Sequence, residues 1–310
     1  MLIMRQQSGL PERSDGRIAA GDSVIRKLWQ VEWYRRTEKR WGDRKMSTDN
    51  RPIGVLDSGL GGISVLRELV KLMPGEDFIY YGDSASAPYG TRTPEEVIDL
   101  TKKDVEFLLE RGAKAIVVAC NTATSVAIKE LRAAYEEVLP VIGIEPALKP
   151  AVKAKEHSKV VVMATPMTLS QTKFNSMMHI YEDDANIIKM PCPGLVEYIE
   201  SGVLDGPVLD AYLEKQFAPY DKAEIDAVVL GCTHYPLIRE VIQKHLPGVS
   251  VYDGGFGTAK QTKRRLAERG LLSDRESGGK VEIFNSRNTE EILELSRRLL
   301  KMWQPKENLW

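Results

Sequence analysis

Residues 115–122 read AIVVACNT, and residues 227–234 read AVVLGCTH. Each stretch is an apolar run, rich in β-branched residues, that ends at a cysteine and continues with small polar residues. Such runs are typical of strands buried on both faces of a parallel sheet. The two stretches therefore predict the same strand and turn at two places in the chain.

The alternation of short strands and longer helical segments continues on both sides of these stretches, from Pro52 to the last predicted helix. This alternation predicts an α/β fold built on parallel sheets. The predicted strands are residues 53–57, 78–82, 115–119, 141–144, 160–164, 187–190, 227–230, 250–252 and 281–284.

A weak internal duplication divides the body of the chain. Residues 53–59 (IGVLDSG) are similar to residues 160–166 (VVVMATP), and each precedes its cysteine stretch at a similar distance. We therefore expect two similar parallel-sheet α/β domains with a pseudo-twofold relation. Two halves that face each other would bring both cysteine turns to one cleft. Ligands of open α/β folds bind at the carboxyl ends of the strands, which is where these turns lie.

Composition excludes several classes of function. The chain has 310 residues, 43 Lys and Arg, 44 Asp and Glu, and a formal net charge of −1, so a large nucleic-acid or anionic-membrane surface is not expected. Its apolar runs are shorter than the roughly 18 residues that span a bilayer. Three cysteines cannot form a disulfide framework, which favours the cytoplasm.

The first 46 residues differ from the rest. They carry a basic excess and three of the five tryptophans, Trp29, Trp33 and Trp41, without a clean helical stripe. We expect residues 1–46 to be a disordered or loosely helical extension that the chemistry does not require. Upstream sequence misread as coding before Met46, or a regulatory arm, are the alternatives.

The cysteines at the strand ends are candidates for acid/base chemistry. Backbone N–H groups after Cys120 and Cys232 can lower a thiol pKa from about 8.5 toward neutrality. The alternative for each is a small buried core residue. Cys192, in Met190-Pro-Cys-Pro-Gly194, has no matched partner and is expected to be structural.

Small polar residues beside these cysteines suit a carboxylated, amine-bearing molecule. Asn121 and Thr122 follow the first cysteine, and Thr233 and His234 follow the second. His234 is either a proton-handling group or an ordinary surface histidine. No compact Cys/His cluster supplies a full ligand set, so no metal is expected.

A glycine-rich loop, residues 57–62 (DSGLGG), follows the first strand. It lacks the Gly-x-Gly-x-x-Gly spacing and the Walker lysine of phosphate-binding loops. Its glycines allow close backbone approach to an anion, and Asp57 at the helix start could orient a base or an ammonium group.

Four motifs in their order, residues 53–62, 81–90 (YGDSASAPYG), 117–122 and 230–237 (LGCTHYPL), resemble glutamate racemases of the aspartate/glutamate racemase superfamily. The resemblance implies interconversion of L- and D-glutamate without any cofactor, which supplies D-glutamate for peptidoglycan. It also implies a first domain of residues 47–144 plus 253–310, a second of residues 145–252, and an active site between them.

The same resemblance assigns roles residue by residue. Cys120 and Cys232 would be the paired acid/base residues, with Asp57 assisting the first cysteine. Proximity in the sequence assigns His234 to the second. Glu200 would be the family's assisting glutamate, with Glu197 as the second choice. The residues that would line the substrate pocket are Asp57, Ser58, Tyr89, Gly90, Asn121, Thr122, Thr233 and His234.

The chemistry agrees with this assignment, because inverting a stereocentre without a cofactor needs acid/base groups on both faces of the carbon. A racemase of aspartate or another small acidic amino acid is the nearest alternative. A cysteine-based redox protein is disfavoured by the absence of a Cys-x-x-Cys pair, and a non-catalytic regulatory protein would not need both thiols. We expect glutamate as the partner, no nucleic acid or membrane, and allow for a homodimer.

Overall fold

Nine strands form two sheets in the part of the chain that the computed structural model describes, residues 49–301. Residues 1–46, predicted to be an extension, lie outside these described residues. The strands are β1 (Ile53–Asp57), β2 (Phe78–Gly82), β3 (Ala115–Val118), β4 (Val141–Gly143), β5 (Ser158–Ala164), β6 (Ala185–Pro191), β7 (Ala227–Leu230), β8 (Ser250–Asp253) and β9 (Val281–Asn285). All nine lie where the sequence predicts strands, and β5 and β6 are longer than expected.

Every strand pairing is parallel, and the two sheets share one topology. The first sheet has the order β4-β3-β1-β2-β9, and the second has the order β6-β5-β7-β8. Read from its other edge, the second sheet repeats the order β4-β3-β1-β2 strand for strand. The internal duplication and the predicted fold class are therefore confirmed.

Eleven α-helices connect the strands within residues 49–301. They are α1 (Ile63–Leu72), α2 (Pro94–Glu110), α3 (Asn121–Tyr135), α4 (Leu148–Lys153), α5 (Pro166–Ser170), α6 (Thr172–His179), α7 (Leu195–Glu200), α8 (Pro207–Phe217), α9 (Arg239–His245), α10 (Gly255–Glu268) and α11 (Glu290–Lys301). None of these helices combines the length and the apolar composition needed to cross a bilayer.

The central strands are buried because they carry apolar, β-branched residues on both faces. Every residue of β1, β3 and β7 is buried, as expected for parallel strands covered on both sides. The C-terminal segment returns to the first sheet, since β9 pairs with β2 and α10 and α11 pack on α1. The division into residues 47–144 plus 253–310 and residues 145–252 remains a proposal that this chain path supports.

A buried ion pair lies at the amino ends of the strands of the first sheet, opposite to the carboxyl ends at which Cys120 lies. The Lys114 ammonium, which is 0% exposed, lies 2.6 Å from a carboxylate oxygen of Glu76. It also donates to the Asp49 carbonyl. The other Glu76 oxygen accepts from the backbone N–H of Ser273 at 2.7 Å. The pair thereby joins the start of the described chain to its C-terminal segment.

Replacement of Lys114 by methionine is expected to lower the free energy of unfolding by about 3–5 kcal/mol, because it leaves the Glu76 carboxylate buried without its counter-charge. Urea unfolding of both proteins measures the difference. The control is Lys102→Met, which breaks an exposed pair with Glu130 and should change stability by at most about 1 kcal/mol. Equal effects of the two substitutions would contradict this account of the buried pair.

Candidate active site

Cys120 and Cys232 lie at the carboxyl ends of equivalent strands. Cys120 follows β3 by two residues and caps α3, where its sulfur accepts from the backbone N–H of Ala123 at 3.4 Å. Cys232 follows β7 by two residues and precedes a short 3₁₀ turn, Tyr235–Ile238, which leads directly into α9. The two residues are only 4% and 7% exposed. Both thiols therefore lie in an environment from which water is largely excluded.

The glycine-rich loop after β1 contacts both cysteine turns. The Cys120 thiol donates to the Ser58 hydroxyl at 3.4 Å. On the other side, the Thr233 hydroxyl donates to Asp57 at 3.0 Å. Residues of the two sheets thus meet at this loop, and the predicted pocket residues from both halves lie close together.

The glycines of this loop are needed because side chains of the second sheet lie against its backbone. A Cβ atom at Gly59 would collide with the Glu200 carboxylate, and one at Gly61 would lie 2.5 Å from Nδ1 of His234. Glu200 also accepts from the backbone N–H of Leu60 at 2.5 Å. The loop therefore closes over His234 and Glu200 only because it has no side chains there.

Cys232, His234 and Glu200 form a hydrogen-bonded chain. The Cys232 sulfur lies 3.7 Å from Nδ1 of His234, and Nε2 of His234 lies 2.6 Å from Glu200 Oε1. His234 is 1% exposed and Glu200 is 8% exposed. Glu197, on the same short helix α7, is exposed to solvent. The structure thus brings Glu200, and not Glu197, to the cysteine.

The attraction between opposite charges determines the protonation states of His234 and Glu200. Burial alone would lower the pKa of His234, but the contacts with Cys232 and Glu200 raise it well above its usual range. Burial similarly opposes ionisation of Glu200, yet its hydrogen bond to His234 and the charge of that residue lower its pKa. The pair is therefore an imidazolium and a carboxylate, with the imidazolium beside the Cys232 sulfur.

The surroundings of Cys120 favour the protonated thiol. Burial, followed by the negative charge of Asp57, raises the pKa of Cys120 to about 12. The expectation of a near-neutral thiol is therefore wrong for Cys120 in the substrate-free protein, because loss of hydration outweighs the N–H group of Ala123. Burial also raises the pKa of Asp57, against the opposing charge of His234.

Asn121 and Thr122 open helix α3 and are buried beside Cys120. The Asn121 Oδ1 atom has no hydrogen-bond partner within residues 49–301, so it is an acceptor available to a bound donor. The Thr122 hydroxyl lies 3.1 Å from the hydroxyls of both Thr165 and Thr168, which follow β5.

Thr165 and Thr168 are absent from the site that the sequence predicts, yet the fold brings them to it. The available signal was the duplication, in which Thr165 follows β5 as Ser58 follows β1. A matched position after a matched strand reaches the same edge of the sheet. The three threonine hydroxyls add a polar wall that joins the two halves of the site.

The predicted pocket residues Tyr89 and Gly90 lie on a 3₁₀ turn, Tyr89–Thr91. Tyr89 is 1% exposed and its hydroxyl contacts other protein groups. A Cβ at Gly90 would lie 2.9 Å from Cβ of Thr165, so the turn packs on the polar wall. Cys192 is buried in the apolar core of the second sheet, which agrees with the structural role proposed for it.

Comparison with known proteins supports the resemblance inferred from the sequence motifs. Residues 53–262 match the family model Asp/Glu/Hydantoin racemase. A glutamate racemase of Clostridium acetobutylicum is 53% identical over 257 residues, which are 83% of this chain and 100% of that protein. A glutamate racemase of Clostridium botulinum is 50% identical over 258 residues, 83% of this chain and 100% of that protein.

Solved structures share the fold. A glutamate racemase isoform from Bacillus anthracis has a TM-score of 0.74 at 32% identity, covering 83% of this chain and 96% of that one. Francisella tularensis glutamate racemase in complex with D-glutamate has a TM-score of 0.71 at 29% identity, covering 84% and 97%. Escherichia coli glutamate racemase in complex with L-glutamate and an activator has a TM-score of 0.72 at 30% identity, covering 80% and 95%.

The two-sheet fold, its paired cysteine turns and these matches define an isomerase, an amino-acid racemase. The chain belongs to the Asp/Glu/Hydantoin racemase family. The resemblance to glutamate racemases inferred from four sequence motifs is confirmed over most of the chain.

Proposed function

We propose that this racemase interconverts L- and D-glutamate without a cofactor, using Cys120 and Cys232 as its two acid/base groups. The observation that carries the proposal is the pair of buried thiols at the ends of equivalent strands. The Cys120 thiol contacts Ser58, and Thr233, the residue after Cys232, contacts Asp57. Two such groups can remove a proton from one face of Cα and return one to the other. No further acid or base is needed for inversion.

The two thiols exchange roles between the two directions of the reaction. Cys120 carries its proton, as its raised pKa of about 12 requires. In the direction from L-glutamate, Cys232 takes the Cα proton and Cys120 donates one to the opposite face. From D-glutamate the roles are exchanged, since both directions pass through the same intermediate.

His234 and Glu200 support the second cysteine. The imidazolium can donate a hydrogen bond to the Cys232 sulfur, or return a proton to it, and the Glu200 carboxylate fixes the orientation of the ring at 2.6 Å. The negative charge of Asp57 acts on the Cys120 thiol. We therefore assign assisting roles to Asp57, His234 and Glu200.

The polar groups around the thiols suit an amino acid with two carboxylates. Hydroxyls of Ser58 and Thr122 can donate to carboxylates, while Asn121 Oδ1 and Asp57 can accept from an α-ammonium. Donors at the carboxylate and exclusion of water stabilise the negative charge that develops when the very weakly acidic Cα–H is broken. The turn at Tyr89 and Gly90 completes this pocket.

Glutamate is the proposed substrate because the similar Francisella and Escherichia coli enzymes were solved with D-glutamate and with L-glutamate. We place the reaction in the cytoplasm, where three free thiols stay reduced, as a source of D-glutamate for peptidoglycan. The homodimer remains a prediction.

Purified full-length protein should convert L-glutamate to its D-isomer with no added cofactor and with a chelator present. Circular dichroism follows the loss of optical activity directly. L-aspartate, which is shorter by one methylene, should react with a kcat/KM about 10- to 200-fold lower. Faster reaction of aspartate would favour the alternative substrate, and activity lost to the chelator but restored by metal would refute cofactor independence.

A further inference from the structure

Two buried carboxylates meet at the hydroxyl of Tyr89, in the turn that contains Gly90. The hydroxyl lies 2.9 Å from Oδ2 of Asp83 and 3.0 Å from Oδ2 of Asp104. Asp83 follows β2, and Asp104 lies on α2. Tyr89, Asp83 and Asp104 are 1%, 5% and 3% exposed, so water cannot easily take the place of a missing partner.

If both carboxyl groups are ionised, the three oxygen atoms of this cluster share a single hydrogen atom, that of the tyrosine hydroxyl. The tyrosine hydroxyl has a single proton to donate, and it can satisfy only one carboxylate. The second carboxylate oxygen would then face the lone pairs of the tyrosine oxygen at about 3 Å inside the protein. An additional proton on one carboxyl group removes this repulsion, because that group then donates to the tyrosine oxygen.

The surroundings indicate which group carries this proton. Burial, with the nearby charge of Asp83, raises the pKa of Asp104 well above its usual range, against smaller opposing effects of Tyr89 and Lys103. Burial and the same two carboxyl groups raise the pKa of Tyr89. The tyrosine therefore keeps its proton, and Asp104 is the group that gains one.

We propose that Asp83, Tyr89 and Asp104 form a buried unit that shares the extra proton and positions the turn at Tyr89 and Gly90 for substrate binding. This proposal rests on the proposed function for the role of the turn. Asp104 and Asp83 are positioning residues, since they act through Tyr89. The unit holds the turn through the Tyr89 hydroxyl, while Thr165 packs against Gly90.

The fold explains why such a unit is placed here. Helix α2 begins directly after the turn, at Pro94, with a capping box between Thr93 and Glu96. The backbone N–H of Asp83 donates to the carbonyl of Asp57 at 2.9 Å. The unit thereby links the turn, the helix and the loop that carries Asp57, so a loss of its hydrogen bonds should displace the turn.

The test compares Asp104→Ala with Asp104→Asn in the full-length protein. Alanine removes the donor and should raise KM for glutamate roughly tenfold or more, with a much smaller change in kcat, because both thiols stay in place. Asparagine keeps a donor to the tyrosine oxygen without a charge and should give a KM within about threefold of the original. Asp99→Asn, an exposed change on the same helix, is the matched control.

Infrared spectroscopy tests the shared proton without substrate. The difference between the original protein and Asp104→Asn at neutral pH should contain the carbonyl stretch of a protonated carboxylic acid, and Asp99→Asn should not produce it. Absence of that band overturns the proposal, as does an unchanged KM in Asp104→Ala or equal loss in both Asp104 variants. If Asp104→Ala does not fold, the infrared comparison and the Asp104→Asn kinetics decide. If the original protein does not racemise glutamate, the proposed function fails while the infrared result still stands.

Discussion

Replacement of either Cys120 or Cys232 by alanine is expected to reduce racemisation of glutamate by about 10³-fold or more, since each thiol serves a different face of Cα. A single remaining thiol can only return a proton to the face from which it took one. The loss should appear in kcat and in kcat/KM, because an acid/base group acts in the transition state. Circular dichroism with each enantiomer as substrate measures it.

Proton exchange in heavy water distinguishes the two faces of Cα and the thiol that serves each face. The original protein should place solvent deuterium at Cα of the inverted product, because the incoming proton comes from the opposite thiol. By the proposed assignment, Cys120→Ala should exchange the Cα proton of L-glutamate alone, and Cys232→Ala that of D-glutamate alone, both without inversion. Proton NMR of the recovered amino acid distinguishes these results.

Cys192→Ala is the control for these substitutions. Cys192 is buried like the other two, in the same apolar core as Cys232, but it is assigned no part in proton transfer. Its replacement should leave racemisation within a few-fold of the original rate. Near-original racemisation by a folded Cys232→Ala protein would eliminate the two-thiol mechanism and remove the main support for the proposed function.

The second large effect is expected from Glu200→Gln, which should lower kcat by roughly 10²-fold. Without the Glu200 carboxylate, one of the two contacts that raise the pKa of His234 is lost, while burial, which lowers an imidazole pKa, remains. The raised pKa of His234 should therefore fall, so that the ring loses its proton at a lower pH than in the original protein. Nitrogen-15 NMR of the imidazole across a pH titration measures both states.

Glu197→Gln provides the matched control, because Glu197 lies on the same helix and is exposed. It should change neither kcat nor the titration of His234. A loss of activity in Glu200→Gln with an unchanged His234 titration would contradict the proposed link between the two residues. The substitution is nearly isosteric, so a folded protein is expected for the comparison.

Local patterns in the sequence were sufficient for the strands and for the position of each cysteine. β-Branched apolar runs predict buried strands, and the residue after a parallel strand must lie at its carboxyl edge whatever the rest of the fold does. The matched stretches around Cys120 and Cys232 therefore indicated both the two sheets and the location of the site. The preference for Glu200 over Glu197 followed from the family resemblance, because both lie on one short helical segment.

Only the tertiary structure decided the protonation of the site and the identity of its distant members. Glu200, and not Glu197, belongs to the candidate site because it contacts Leu60, 140 residues away in the chain. The pKa of Cys120 is raised by burial and by Asp57, and neither can be read from neighbours in sequence. Thr165 meets Thr122, and Asp104 meets Tyr89, through contacts between separate elements. Burial and the charges of residues far apart in the chain determine ionisation, and both exist only once the chain has folded.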